Sequence, residues 1–166
     1  MKIFLVGMPG SGKSTLGKQL ARKLNATFID LDHEIERHEQ RTVSEIFEQS
    51  GEAFFREVES KLLREFASSS ASFVMATGGG APVFHDGMKV INESGVSVFL
   101  DVPIDMLVRH TAKRSTRPLL KNDSEQELHE KLSNIRSARL HTYQQAQITI
   151  QNPTLPLLLS ALKLGT

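Results

Sequence analysis

Near its amino terminus the chain reads Gly7-Met8-Pro9-Gly10-Ser11-Gly12-Lys13-Ser14. This stretch fits the pattern G-x-x-x-x-G-K-S/T at every fixed position, in which the lysine reaches the β- and γ-phosphates and the final hydroxyl binds Mg²⁺. Glycines let such a loop turn tightly and point successive N–H groups at phosphate oxygens. A turn without a ligand is the alternative, but chance gives the pattern in under about 1% of chains of this length. We therefore predict a nucleoside triphosphate site formed by Gly10, Ser11, Gly12, Lys13, Ser14 and Thr15.

Both flanks of the loop have the secondary structure that this use requires. Residues 2–6 read as a buried strand, and leucines four residues apart follow the loop on one helix face. Further β-type runs alternate with helical patterns, at 27–29, 72–76, 96–100 and 148–150. Such alternation favours a parallel sheet with helices on both faces. We predict an α/β fold, a three-layer α/β/α domain with a five-stranded parallel sheet over residues 1–166, which is the P-loop nucleoside triphosphate hydrolase fold.

The composition limits what such a domain can do. The 166 residues include 20 Lys and Arg against 19 Asp and Glu, a formal net charge of +1, and no Cys. Disulfides, thiolate catalysis and Cys-based zinc sites are therefore excluded, and the near-neutral charge gives no global sign of nucleic-acid binding. No run approaches the ~20 apolar residues that span a bilayer. We expect a cytoplasmic monomer that acts on a small molecule, without nucleic acid or membrane as partner.

Two further motifs follow strand ends, where ligands of such folds bind. Asp30-Leu31-Asp32 places two carboxylates after the second strand, one suited to the magnesium shell and the other to accepting a proton. Asp32 could equally be the N-cap of the next helix. Gly78-Gly79-Gly80 follows the third strand and permits either the close approach of a ligand or a flexible turn.

Several arginines are candidates for binding an anion. Arg56 lies in a helical pattern, where pairing with Glu52 at i−4 is the alternative. Arg117 lies in a basic segment, 111–123, which we interpret as a mobile surface loop able to close over a phosphate; a solvated basic face is the alternative. Arg136 and Arg139 lie three apart on one predicted helix, and either could face the cleft.

Taken together, these residues resemble shikimate kinases. The resemblance extends from Lys2 to about Pro153, with the motifs in the family's order and at similar spacings. The motifs are Asp30-Leu31-Asp32, Phe55-Arg56-x-x-Glu59, Gly78-Gly79-Gly80, Arg117-Pro118-Leu119-Leu120 and Arg139-x-x-x-Tyr143. The last two are the most discriminating, and Tyr143 at the family spacing favours Arg139 over Arg136.

The resemblance implies an ATP- and Mg²⁺-dependent kinase that phosphorylates the 3-hydroxyl of shikimate. Asp32 would contact shikimate hydroxyls and act as the base, and Asp30 would lie in the magnesium shell with Ser14. Lys13 and Arg117 would stabilise the transferring phosphoryl group, with Arg117 on a lid at about 111–123. Acceptor-binding helices would span about 33–62. The acceptor itself would be held by Asp32, Arg56, Gly78, Gly79, Gly80 and Arg139.

Two departures from the family's pattern concern the adenine contacts. His110 falls where some members have a second arginine, and the loop near Gln151-Asn152-Pro153 is shorter than the pattern leads us to expect. The nearest alternative function is a related kinase for gluconate or a nucleoside monophosphate. A nucleotide switch or nucleic-acid-binding module is a more distant one, since the chain has no Asn-Lys-x-Asp and the basic cluster at 113–121 contains no aromatic residue.

Overall fold

The predicted alternation of strands and helices is present in a computed structural model, which describes residues 1–113 and 124–164. The strands of this part are β1 (Lys2–Val6), β2 (Thr27–Asp30), β3 (Phe73–Ala76), β4 (Val96–Asp101) and β5 (Ile148–Gln151). The helices are α1 (Lys13–Lys23), α2 (Leu31–Glu39), α3 (Val43–Ser68), α4 (Gly87–Ser94), α5 (Ile104–Lys113), α6 (Glu125–Tyr143) and α7 (Leu155–Ala161).

The five strands form one parallel sheet in the order β2-β3-β1-β4-β5. The central strand is β1, in which Leu5 pairs with Ala76 on one side and Val98 on the other. The connection after β1 leads to β2 on one side of the sheet, and the connection after β3 leads to β4 on the other side. The strand order therefore reverses between the neighbouring strands β1 and β3, and ligands bind at such a point. The glycine-rich loop begins there, so the order of strands places a phosphate site at the centre of the sheet.

Helices cover both faces of the sheet, because successive side chains of each strand point to opposite sides. Phe4 and Met75 face one apolar layer, which includes the buried side of α3. Leu5 and Val74 face the other, which α1 and α7 cover. The inner strands β1 and β3 are thus almost entirely buried, as strands covered on both faces are, whereas the edge strands β2 and β5 each have one buried residue. This confirms the predicted three-layer arrangement. No helix among residues 1–113 and 124–164 is long and apolar enough to cross a membrane.

The helices between β2 and β4 differ in detail from the sequence-based expectation. The region of about 33–62, where we expected acceptor-binding helices, contains parts of two helices, since α2 ends at Glu39 and Thr42 begins α3 with a capping box. Gly51 forms a kink at φ +82° inside α3. Helix α4 was not predicted because it has only eight residues, of which three are buried.

Candidate active site

The loop between β1 and α1 has the backbone conformation of an anion cradle. Gly10 and Gly12 lie in the left-handed region, at φ +80° and +90°. Gly12 is the N-cap of α1, and no side chain caps that end of the helix. The first turn of a helix has N–H groups with no partner inside the helix, and its dipole adds positive potential. An anion such as a phosphate fits this position.

Two side chains of the loop have hydrogen bonds that place them at the cradle. The Lys13 Nζ donates to the carbonyl oxygens of Gly7 at 2.9 Å and Met8 at 2.8 Å, so the ammonium lies over the loop. The Ser14 hydroxyl donates to Asp30 Oδ2 at 2.8 Å. This bond joins the loop after β1 to the end of β2. The hydroxyl and carboxylate oxygens together suit Mg²⁺, which is commonly held by one or two protein oxygens, water and phosphate.

The N-cap of α2 is Asp30, not Asp32. Asp30 Oδ1 accepts hydrogen bonds from the backbone N–H groups of Asp32 at 3.1 Å and His33 at 3.4 Å, while its Oδ2 accepts from Ser14. The capping alternative for Asp32 is therefore wrong, because the helix begins at Leu31, two residues earlier than a cap at Asp32 would give. Asp32 lies in the first turn of α2, half-buried beside Gly78.

The three glycines after β3 make room for charged side chains. None of Gly78, Gly79 and Gly80 has a positive φ, so they are not required by backbone conformation. A Cβ on Gly78 would lie 2.9 Å from Asp32 Oδ1 and 3.0 Å from Glu59 Oε2. A Cβ on Gly80 would collide with the Arg56 guanidinium. The run therefore allows the close approach of the chain's own charged side chains, and the predicted close approach of a ligand stays a prediction.

Arg56 is the buried cation of the site, with a relative exposure of 8%. Its Nη1 donates to Glu59 Oε1 at 2.9 Å, and its Nε donates to Glu52 Oε1 at 3.3 Å. Its guanidinium also lies 4.2 Å from the centre of the Phe84 ring. The pairing with Glu52 considered from the sequence is present, but it occurs at the rim of a buried cluster rather than on an exposed helix face.

Glu59 is a buried carboxyl that the sequence did not single out as a site residue. It is 2% exposed, and its Oε2 has no hydrogen-bond partner within the described ranges. Burial raises the pKa of Glu59 from 4.5 to about 7, against the opposing effect of Arg56, and the nearby Asp32 carboxylate raises it further. Glu59 therefore holds a proton over part of the neutral pH range.

This burial predicts how the stability of the chain depends on pH. The pKa of this carboxyl is higher in the folded chain than in the unfolded chain. It therefore stabilises the fold fully at a pH below its unfolded pKa, and this stabilisation is lost as the pH rises through its folded pKa. From about pH 4.5 to about pH 8, the free energy of unfolding of the wild type should fall by about 3 kcal/mol more than that of Glu59→Gln. Denaturant titrations at each pH measure this difference. Glu52→Gln is the control, since Glu52 also pairs with Arg56 but is 56% exposed. The prediction would be contradicted if the free energy of unfolding changed equally with pH in the wild type and in Glu59→Gln.

Arg139 and Tyr143 of α6 complete the cluster from the other side. A Cβ on Gly79 would lie 3.0 Å from Arg139 Nη1. The Tyr143 hydroxyl donates to the Gly79 carbonyl oxygen at 2.6 Å and is hydrogen-bonded to the Arg139 side chain. Burial raises the pKa of Tyr143, so this hydroxyl stays protonated. Arg136, the alternative to Arg139, instead donates to Asp101 Oδ1 at 2.9 Å.

A second cleft, of about 450 Å³, opens beside the loop on the opposite side from the glycine run. Its lining contains residues of the loop and of α1, together with Val102, Met106, His110, Lys113, Asn152 and Pro153. The sequence pointed to His110 and Asn152-Pro153 only through their departure from the family's adenine contacts. The structure places both of these features on one cleft next to the phosphate cradle.

The structure thus brings together most of the side chains predicted for the site. Asp32, Arg56 and Arg139 face one glycine run, and Lys13, Ser14 and Asp30 lie at the neighbouring loop. Arg117 and positions 114–123 of the predicted lid lie outside the described residues, so their roles stay predictions. Glu59 and Tyr143 were present in the motifs, but only their burial and contacts indicate what they do.

The parallel sheet has this loop after its central strand and a cationic pocket at the same edge. Together these features define a P-loop kinase of a small anionic molecule. A family model described as shikimate kinase matches residues 9–156. The shikimate kinase of Bacteroides thetaiotaomicron is 45% identical over 148 residues, which are 89% of this chain and 84% of the relative. The chain belongs to the shikimate kinase family, whose members are phosphotransferases acting on a hydroxyl group.

Solved structures agree with this placement. A crystal structure of shikimate kinase from Bacteroides thetaiotaomicron has a TM-score of 0.89 at 40% identity, covering 99% of this chain and 96% of that chain. Shikimate kinase from Acinetobacter baumannii, in complex with shikimate, has a TM-score of 0.87 at 35% identity, covering 98% of this chain and 91% of that chain. The similarity therefore extends over nearly the whole chain.

Proposed function

We propose that this chain transfers the γ-phosphate of ATP to the 3-hydroxyl of shikimate, giving shikimate 3-phosphate and ADP, with Mg²⁺ as cofactor. The observation that carries the proposal is the placement of two arginines, Arg56 and Arg139, and one carboxylate, Asp32, around a single glycine run beside a phosphate loop. Two cations suit the carboxylate of the acceptor, and the Asp32 carboxylate suits its hydroxyls.

The acceptor would enter over Gly78, Gly79 and Gly80 with its carboxylate toward the arginines. Guanidinium groups bind carboxylates through paired N–H donors, and partial burial strengthens these bonds. Arg56 is held in place by Glu59 and by the Phe84 ring. Arg139 is hydrogen-bonded to Tyr143, which is itself tied to Gly79. Both guanidinium groups are therefore positioned before the acceptor arrives, which lowers the entropic cost of binding.

The chemical step needs a proton acceptor and positive charge around the phosphoryl group. As the O–P bond forms, the acceptor hydroxyl gives its proton to the Asp32 carboxylate, and the bond from the γ-phosphorus to the bridging oxygen breaks with ADP as leaving group. Lys13 and the N–H groups at the start of α1 stabilise the negative charge on the transferring oxygens. Mg²⁺, held by Ser14 and Asp30, would supply further positive charge to the phosphates when bound.

An assay across acceptors tests the function directly. ADP release is followed in a coupled assay with ATP and Mg²⁺, using shikimate, gluconate and a nucleoside monophosphate in parallel. We expect turnover with shikimate and none with gluconate or the nucleoside monophosphate, because the chain belongs to the shikimate kinase family. Turnover with gluconate and none with shikimate would overturn the proposal.

Arg139→Ala should weaken shikimate binding about 30-fold or more, since removing one partner of a buried charge pair costs ~2–5 kcal/mol. The KM for ATP should stay within about twofold of the wild type. Calorimetric titration with shikimate measures the loss. Arg136→Ala is the matched control, because Arg136 lies one turn away on α6 and pairs with Asp101. A loss of shikimate binding in Arg136→Ala, with none in Arg139→Ala, would reverse the assignment.

A further inference from the structure

His110 is a side chain whose contact the proposed reaction does not use. It lies in the last turn of α5, half-buried, and its Nδ1 is 2.8 Å from the carbonyl oxygen of Gly10. The two residues are 100 positions apart in the sequence. A carbonyl oxygen only accepts, so Nδ1 must donate this bond, and in the neutral ring the hydrogen is then on Nδ1.

The loop rests directly on α5 at the same point. A Cβ on Gly10 would lie 3.0 Å from Thr111 Oγ1 and 3.4 Å from the Leu107 carbonyl oxygen. Helix α5 is itself fixed, since Leu107 and Val108 are buried in the apolar layer of the sheet. The His110 bond therefore attaches a glycine-rich segment, which has high conformational freedom by itself, to a rigid support.

We infer that His110 is a positioning residue for the triphosphate, which holds the Gly10 peptide in the conformation of the phosphate cradle through its Nδ1 bond. The carbonyl group of Gly10 and the N–H group of Ser11 belong to one planar peptide unit and point in opposite directions, so holding the carbonyl group also fixes the direction of that N–H group. Fixing Gly10 against α5 thus orders the loop before the nucleotide arrives, and this preorganisation increases affinity. The inference deepens the proposed function and rests on its nucleotide site.

Three substitutions separate the hydrogen bond from the rest of the ring. Asparagine places an amide N–H close to the position of Nδ1, glutamine places it one bond further out, and alanine has no donor. We expect His110→Ala and His110→Gln to raise the Kd for ATP about threefold to tenfold, and His110→Asn to bind as the wild type does. The KM for shikimate should not change. Arg109→Ala is the control, since Arg109 is an exposed neighbour on α5.

Magnesium tripolyphosphate, which has the phosphates but no base or ribose, distinguishes an effect on phosphate binding from a contact with the nucleoside. Calorimetry with this probe should show the same loss in His110→Ala as with ATP. A loss for ATP alone would mean that His110 contacts the nucleoside, and it would overturn the inference, as would a failure of asparagine to restore binding. The inference would also be overturned if His110→Ala had a lower melting temperature and lost affinity for ATP and shikimate equally. If the wild type binds neither ATP nor tripolyphosphate, the proposed function itself fails.

Discussion

Lys13→Ala should lower kcat about 10³-fold while the chain stays folded. In the structure the ammonium group lies over the loop, bonded to the carbonyl oxygens of Gly7 and Met8. Lys13 is also the first residue of α1, so this cation belongs to the phosphate cradle itself. Removing one preorganised group that stabilises transition-state charge costs ~10²–10³-fold in kcat, and a full positive charge belongs at the upper end. Steady-state kinetics at saturating ATP and shikimate measure this loss.

Lys18→Ala is the matched control for this variant. Lys18 is an exposed lysine on the same helix, and its ammonium lies 5.8 Å from the Phe28 ring rather than at the loop. We expect its kcat to remain within about twofold of the wild type. The role of Lys13 would be refuted by a variant that keeps wild-type kcat, or by one that loses activity only because its melting temperature falls below the assay temperature.

Asp32→Asn should lower kcat by about 10²–10⁴-fold, the range for loss of a positioned general base. The amide has nearly the same shape as the carboxylate, so the packing around Gly78 is kept, but it cannot accept the proton of the acceptor hydroxyl. Asp30 caps α2, so the substitution leaves the start of that helix intact. We also expect weaker shikimate binding, because a buried hydroxyl donor loses its charged acceptor.

Asp105→Asn serves as the control, since the Asp105 side chain is 79% exposed at the start of α5. Single-turnover measurements separate the chemical step of Asp32→Asn from binding. A single-turnover rate equal to that of the wild type, together with a raised KM for shikimate, would show that Asp32 only binds the acceptor and that the proton leaves by another route.

The fold was predictable from the sequence because its signals are local. The glycine loop fixes a strand before it and a helix after it, and the apolar strands at 2–6, 72–76 and 96–100 have the continuous pattern that only a covered parallel sheet requires. The capping box at Ser124 marks the start of α6 by side chains three residues apart. The short helix α4 lacked such signals, and it was missed.

The site was less predictable, because its properties depend on contacts between distant segments. The choice between Asp30 and Asp32 as the cap depends on a shift of two residues in the start of α2, which sequence patterns do not resolve. Glu59 resembles any charged residue of a helix until the structure shows it buried between Arg56 and Gly78. His110 meets its partner 100 residues away. Each of these features comes from packing and not from local sequence.

The glycine run after β3 also decides how the chain tolerates mutation. The volume that a side chain would occupy is taken at each position by a different charged group: Asp32 and Glu59 at Gly78, Arg139 at Gly79, and Arg56 at Gly80. One methyl group placed at any of these positions therefore displaces a different charged group of the acceptor pocket. Because Arg56 is hydrogen-bonded to Glu59, a change at Gly80 also disturbs the carboxyl group beside Gly78. A substitution at any of the three glycines would thus impair the reaction while leaving the sheet that carries it unchanged.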